Sequence, residues 1–167
     1  IEEVARLYGF DKLPTTLPEG RPGPVERSPE DALPSKIRDV LAGNGYHEII
    51  TLSFMNPDAL DRLGLPPDDR RRRAVKLLNP LTAAESVMRT SLLPGLLGTA
   101  AYNLKRWQDD VRLFEVGRVF IAAQTGGLPE EPTAVAGLMV PPRRKTFHRH
   151  DTHPFYLTKG VVEDILG

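Results

Sequence analysis

The chain contains no cysteine, which excludes disulfides and thiolate metal sites and leads us to expect a reducing, cytoplasmic setting. No run approaches the roughly 18 apolar residues that cross a bilayer, so no membrane partner is expected. The opening Ile1-Glu2-Glu3-Val4-Ala5-Arg6 lacks the basic-then-apolar order of a secretory signal. Net charge is also missing, because 22 Lys plus Arg balance 22 Asp plus Glu. Proteins that hold nucleic acid by counterion release usually carry a basic excess, so any main RNA contacts should lie outside these residues. Sulfur chemistry, membrane spanning and a strongly basic surface are thereby set aside.

What remains is 167 residues, 40% hydrophobic and 26% charged, a composition that suits one globular domain with a real core. Ile1, Val4, Ala5, Leu7 and Tyr8 keep a helical period that Gly9 would stop. No capping residue precedes Ile1, so the chain reads as starting inside a larger protein. Residues 12–27 hold Pro14, Pro18, Pro22 and Pro24 with Gly20 and Gly23, the signature of an extended linker. Residues 1–27 are therefore separated from a domain at 28–167.

Ser28-Pro29-Glu30-Asp31 is a helix start, with a hydroxyl cap, proline in the first turn and acids at the positive end of the dipole. Leu33, Ile37, Val40 and Leu41 then form an apolar stripe that ends at Gly43 to Gly45. Residues 48–55 alternate and read as a strand. Asn56-Pro57-Asp58 opens a short helix with Leu60 and Leu63, stopped by Gly64. Residues 66–73 read as a polar loop and 74–78 as a short strand. Ser91 caps a helix with an apolar face of Leu93, Leu96, Leu97, Ala100, Ala101 and Leu104. Residues 111–122 and 135–140 are the clearest strands, joined through Gly126-Gly127 by a connection too short for a crossover helix, so they should be antiparallel. Residues 155–166 form a last helix with Val161, Val162 and Ile165 inward. The order lacks regular βαβ alternation, so an α+β domain with helices on an antiparallel sheet is expected.

The most informative stretch is Asn79-Pro80-Leu81-Thr82-Ala83-Ala84-Glu85-Ser86-Val87-Met88-Arg89-Thr90-Ser91-Leu92-Leu93-Pro94-Gly95-Leu96-Leu97. It resembles the catalytic-like region of the bacterial phenylalanyl-tRNA synthetase β-subunit family. Four further segments resemble the same family in the same order. They are Ile1-Glu2-Glu3-Val4-Ala5-Arg6-Leu7-Tyr8-Gly9-Phe10-Asp11-Lys12-Leu13-Pro14, Gly45-Tyr46-His47-Glu48-Ile49-Ile50-Thr51-Leu52-Ser53-Phe54, Val111-Arg112-Leu113-Phe114-Glu115-Val116-Gly117-Arg118-Val119-Phe120 and Phe155-Tyr156-Leu157-Thr158-Lys159-Gly160-Val161-Val162-Glu163.

The resemblance implies a class II synthetase-like antiparallel sheet flanked by helices. It also implies an α2β2 tetramer whose α subunit binds ATP and phenylalanine and charges tRNA(Phe). Residues 1–27 would be the end of a B5-like module and its linker. Glu2 and Glu3 match paired acids that help hold a magnesium ion in the family, together with two aspartates that this chain does not supply. Residues 29–42 would join an interface bundle, and strands beyond Gly167 would leave a sheet edge exposed here. Adenylate chemistry needs cations around the reacting phosphate. Where the family's catalytic subunit follows a Gly-Arg-Val-Tyr segment with an arginine, Gly117-Arg118-Val119-Phe120 is followed by Ile121. No catalytic residue is therefore expected in this chain, and its role would be structural support of the α subunit.

Other residues admit two readings. Arg89 and Thr90 are either a remnant of a substrate site or a structural tie in which Arg89 bonds loop carbonyls and a carboxylate such as Glu85 or Glu115; the tie is favoured. Arg70, Arg71, Arg72 and Arg73, and Arg143, Arg144 and Lys145 with His148, Arg149 and His150, could contact the tRNA backbone, the alternative function. Only Phe147 supplies aromatic interleaving, so solvated loops are the simpler reading. His148, His150 and His153, with His47 elsewhere, lack the spacing of a rigid metal site. A stand-alone enzyme with an unrecognised pocket is the third, weakest alternative.

Overall fold

The computed structural model describes residues 1–16, 20, 23, 29–142 and 153–167. The expected linker at 12–27, the Ser28 cap and the basic loop at 143–150 fall wholly or partly outside the described residues. Helix α1 spans Glu2–Tyr8 and ends at Gly9 as its sequence predicts, with no buried residue of its own. Helix α2, Pro29–Gly43, leads through Gly45 (φ 80°) into the two-residue strand β1, His47–Glu48. After a loop come β2, Phe54–Met55, and the single-turn helix α3, Ala59–Arg62. Then follow β3 at Val87–Met88, helix α4 at Leu93–Leu104, β4 at Val111–Arg118, β5 at Thr133–Val140 and α5 at Pro154–Leu166.

Strands β4 and β5 pair antiparallel over eight residues, from Val111 opposite Val140 to Arg118 opposite Thr133. Side-chain alternation then divides β4 into two apolar faces. Val111 and Leu113 meet Leu92, Leu96 and Ala100 around α4, with Val119 closing the cluster. Phe114 meets Leu41 of α2, Tyr46 just before β1 and Val161 of α5 on the other face. Leu96 is fully buried, so cutting it to alanine should cost about 2–5 kcal/mol. A sheet covered on both faces by helices explains why apolar residues of β4 point to both of its faces.

Several expectations are corrected. The sheet is mixed rather than antiparallel, because β1 runs parallel to β4, with His47 opposite Leu113. Residues 48–55 do not form one strand. The chain leaves the sheet after Ile49, whose N–H donates to Phe114 O, and re-enters strand geometry only in β2, which pairs with β3 in a separate two-stranded sheet. The polar side chain of Thr51 lies between them and turns toward Glu115, which breaks the ladder. Residues 74–78 contribute a single bridge, Lys76 to Val87, and residues 70–72 form a 3-10 turn. The strand at 111–122 stops at Arg118, with Ile121 bridging to Glu130 beyond it. Leu92 rather than Ser91 occupies the cap position of α4, although the Ser91 hydroxyl accepts from Leu93 N–H at 3.3 Å. In α5, Val161 is buried while Val162 stays half exposed, since adjacent helical positions point about 100° apart.

Candidate functional site

Arg89 follows β3 directly, and its backbone is fixed on both sides. Its N–H donates to Ser53 O and its carbonyl accepts from Phe120 N–H, each at 2.8 Å. The side chain is thereby aimed under the sheet at Glu115, which β4 points inward. Arg89 Nη1 lies 2.5 Å from Glu115 Oε1, 3.1 Å from Thr51 Oγ1 and 3.3 Å from Thr51 O, while Nε donates to Arg118 O at 2.9 Å. Glu115 also accepts from Thr51 N–H at 3.2 Å and from the Thr51 hydroxyl at 2.8 Å. Two ions taken out of water cost several kcal/mol each unless other groups bond them, and here Nε and Nη1 of Arg89 and both oxygens of Glu115 have partners.

Two glycines make room for this network. A side-chain carbon on Gly95 would come within 2.6 Å of Thr51 Oγ1, and one on Gly117 would collide with Arg89 Nη2. Of the two carboxylates that sequence offers to Arg89, the fold selects Glu115. Thr51 was not expected in the site. Its position in an alternating stretch is that of an ordinary strand residue, and no local signal distinguishes it.

Beside the ion pair opens a cleft of about 470 Å³. Val119, Ile121, Ala134 and Ala136 line it with apolar groups, and Arg70, Arg71 and Thr90 also border it. Of the two cations there, Arg71 is held by a close ion pair and Arg70 stays largely exposed. Arg71 grips Asp69 with two bonds, Nε to Oδ1 at 3.0 Å and Nη2 to Oδ2 at 2.7 Å. The hydrogen bond from the Arg71 side chain, then that from its backbone N–H, lowers the Asp69 pKa to about 2, and Asp69 in turn raises that of Arg71. Arg70 lies 4.0 Å from Glu130. Ile121, where the resemblance leads one to look for an arginine, is buried in the cleft wall. Thr90 Oγ1 is buried without a hydrogen-bond partner. Such a surface has an apolar floor and paired charges, and offers little to a phosphate that is gaining negative charge.

The remaining sequence candidates are not drawn into this site. Glu2 and Glu3 sit at the exposed start of α1, where Glu3 Oε2 accepts from Arg6 at 2.6 Å and 3.0 Å. Carboxylate oxygens are the donor type that magnesium takes, but Glu3 is already paired with Arg6. Among the described residues, no three His, Cys, Asp or Glu side chains converge in a group that could hold a metal. Arg72 is also committed internally, to Asp61 at 2.6 Å and to the carbonyls of Leu65 and Pro66. Arg71 and Arg72 are thus loop staples rather than parts of a free basic patch. Arg143, Arg144, Lys145, His148, Arg149 and His150 lie outside the described residues.

Two apolar grooves lie elsewhere among the described residues. One, of about 310 Å³, runs between α2, α5 and β5, the outer strand of its three-stranded sheet. The other, of about 280 Å³, is formed by Phe54 and the loop carrying Leu78, Pro80 and Leu81, whose two leucines are almost fully exposed.

Residues 13–167 match a family described as the phenylalanyl tRNA synthetase beta chain CLM domain. Among curated relatives, the phenylalanine–tRNA ligase beta subunit of Geobacter sulfurreducens is 45% identical over 168 residues, covering 99% of this chain and 21% of the relative. The Moorella thermoacetica subunit is 42% identical over 169 residues, covering 100% and 21%. That of Bacillus subtilis is 36% identical over 168 residues, covering 99% and 20%. The chain therefore spans about a fifth of the length of these relatives. Among solved structures, PylSc, a pyrrolysyl tRNA synthetase of Desulfitobacterium hafniense, superposes with a TM-score of 0.55 and 20% identity over 84% of this chain and 43% of that one. That likeness is one of fold alone. No described helix is long and apolar enough to cross a membrane.

Proposed function

The chain belongs to the phenylalanyl-tRNA synthetase β-chain family, and from that premise we propose that it is a non-catalytic, class II-like module that braces the α subunit of a phenylalanine–tRNA ligase. In this reading residues 28–167 are the catalytic-like module and residues 1–27 the end of a B5-like module with its linker. The α subunit would bind ATP, activate phenylalanine and charge tRNA(Phe) within an α2β2 tetramer in the cytoplasm. Glu2 and Glu3 would lend two carboxylates to a magnesium ion whose other ligands come from outside this chain.

One observation carries the proposal. Arg89, the cation best placed beneath the sheet, is consumed by Glu115 and Thr51, and the cleft next to it is floored by Ile121 and alanines. Transfer of an adenylyl group from ATP to a carboxylate, with pyrophosphate leaving, requires cations that are free to strengthen their contacts in the transition state. A fixed internal ion pair gives rigidity instead. The exposed Leu78 and Leu81 beside Phe54 supply apolar surface of the kind that subunit contacts cover. The tRNA-binding alternative through the arginine run gains nothing, since Arg71 and Arg72 are pinned to Asp69 and Asp61.

The test is phenylalanine-dependent ATP–pyrophosphate exchange, measured for this chain alone, for the α subunit and for the full β polypeptide assembled with it. Exchange is expected from the assembly and not from this chain. Exchange by the chain alone would overturn the proposal, as would a mass measurement showing no complex between the β polypeptide and the α subunit.

A further inference from the structure

Helix α4 ends in an unusual way. Trp107 N–H donates to Leu104 O and Gln108 N–H to Asn103 O, both at 3.2 Å, the pair of bonds that closes a helix when the next residue turns left-handed. That residue is Trp107, at φ 65°. Every other positive-φ position among the described residues is glycine. A bulky aromatic residue is disfavoured there, because its Cβ crowds the following carbonyl.

Packing does not explain the choice. Trp107 is 91% exposed and belongs to no core cluster. Beside it the exposed Arg106 folds back over Tyr102, its guanidinium carbon 3.4 Å from the ring centroid, with Nη1 donating to Tyr102 O. Lys105 is exposed as well. One helix end thus displays a bare indole, a second aromatic ring already stacked with a guanidinium, and two cations. Planar π faces together with positive charge are what unpaired nucleotides bind: the bases stack and the phosphates meet the cations. A protein partner would be expected to cover apolar surface in its place, and the neighbours here are Lys105, Arg106, Gln108 and Asp109 rather than aliphatic residues.

We propose that Trp107, with Tyr102, Arg106 and Lys105, is a stacking platform for an unpaired RNA base of the ligase's transfer RNA. The inference rests on the ligase reading above for the identity of the polymer. It places one local RNA contact on this module, independent of the arginine run at residues 70–73.

Trp107 is the only tryptophan of this chain, which gives a local probe. In the full β polypeptide assembled with its α partner, its emission is isolated as the difference between wild type and Trp107→Phe. Titration with tRNA(Phe) is expected to quench that difference signal. Trp107→Gly should raise the KM for tRNA about tenfold with little change in kcat, and Trp107→Phe should recover most of the loss. Replacing Lys105 and Arg106 by Gln should flatten the salt dependence of tRNA binding by roughly one unit for each phosphate that these cations neutralise. An unquenched signal with a KM for Trp107→Gly within twofold of wild type overturns the platform. Emission already shielded from acrylamide before RNA is added also overturns it, by assigning the surface to a protein contact. Quenching by tRNA in an assembly that fails to charge it with phenylalanine would count against the ligase reading and leave the platform standing.

Discussion

Arg89 and Glu115 meet 2.5 Å apart under the sheet, and neither side chain is as much as one-tenth exposed. The pair joins three segments distant in sequence: the end of β3, the inner face of β4 and, through Thr51, the loop after β1. It therefore fixes where the β2–β3 sheet sits against the larger one. The guanidinium points into the protein and bonds internal acceptors through Nε and Nη1, so this cation is not offered to the neighbouring cleft.

Breaking the pair from one side should be severe, because the remaining ion stays buried without its partner. Arg89→Ala is expected to lose about 3–5 kcal/mol in urea unfolding, and the double variant Arg89→Met with Glu115→Leu to recover much of that. A loss below about 1 kcal/mol for Arg89→Ala would mean that the pair is solvated and weak.

Gly117 is a steric requirement of the same network. Gly117→Ala places a methyl group against Arg89 Nη2 and should cost about 1–3 kcal/mol. The cost should shrink when Arg89 is also alanine, so a double-mutant cycle ought to be clearly non-additive. Equal costs in both backgrounds would show that some other interaction is responsible.

Asp69 makes an acid-range prediction. Its folded pKa of about 2 lies below the ordinary 3.8, so the folded state holds the carboxylate more strongly than the unfolded chain does. The stabilisation is fully present above the higher value and is lost as pH falls toward the lower. The stability gap between wild type and Asp69→Asn should therefore be constant near neutrality and close between pH 3.8 and about 2. Arg71 stays charged throughout that window. A gap that persists unchanged to pH 2 would contradict the pairing.

Trp107 should carry a stability signature opposite to that of a core residue. The left-handed conformation costs about 1–2 kcal/mol, and glycine costs about 0.5–1 kcal/mol in extra unfolded-state freedom. Trp107→Gly is thus expected to match or exceed wild type by up to about 1.5 kcal/mol in thermal or urea unfolding. A loss greater than 1 kcal/mol would show that the indole packs against the protein.

Much of the framework was legible before any coordinates. Helices α1, α2, α4 and α5 and the β4–β5 hairpin carry their own periodicity, stops and turn residues, so local chemistry specifies them. The split of residues 48–55 was not legible. Ile49, Thr51 and Ser53 are all acceptable strand residues, and what ends the strand is the reach of Thr51 to Glu115, 64 positions away. The same limit applied to residues 70–73. Four adjacent arginines read as a solvated or RNA-facing patch, while the fold supplies Arg72 with Asp61 and the loop carbonyls of Leu65 and Pro66, which no spacing rule connects to it.

Sequence by itself determined the α+β class, the helix stops, the antiparallel pairing of β4 with β5 and the family, because each depends on residue types within a short window or on ordered motifs. Tertiary structure alone decided the parallel placement of β1, the choice of Glu115 as the partner of Arg89 and the bare, left-handed Trp107. Those outcomes depend on which segments pack together, and burial strengthens a charge pair or exposes a ring only after the chain has brought distant residues into contact.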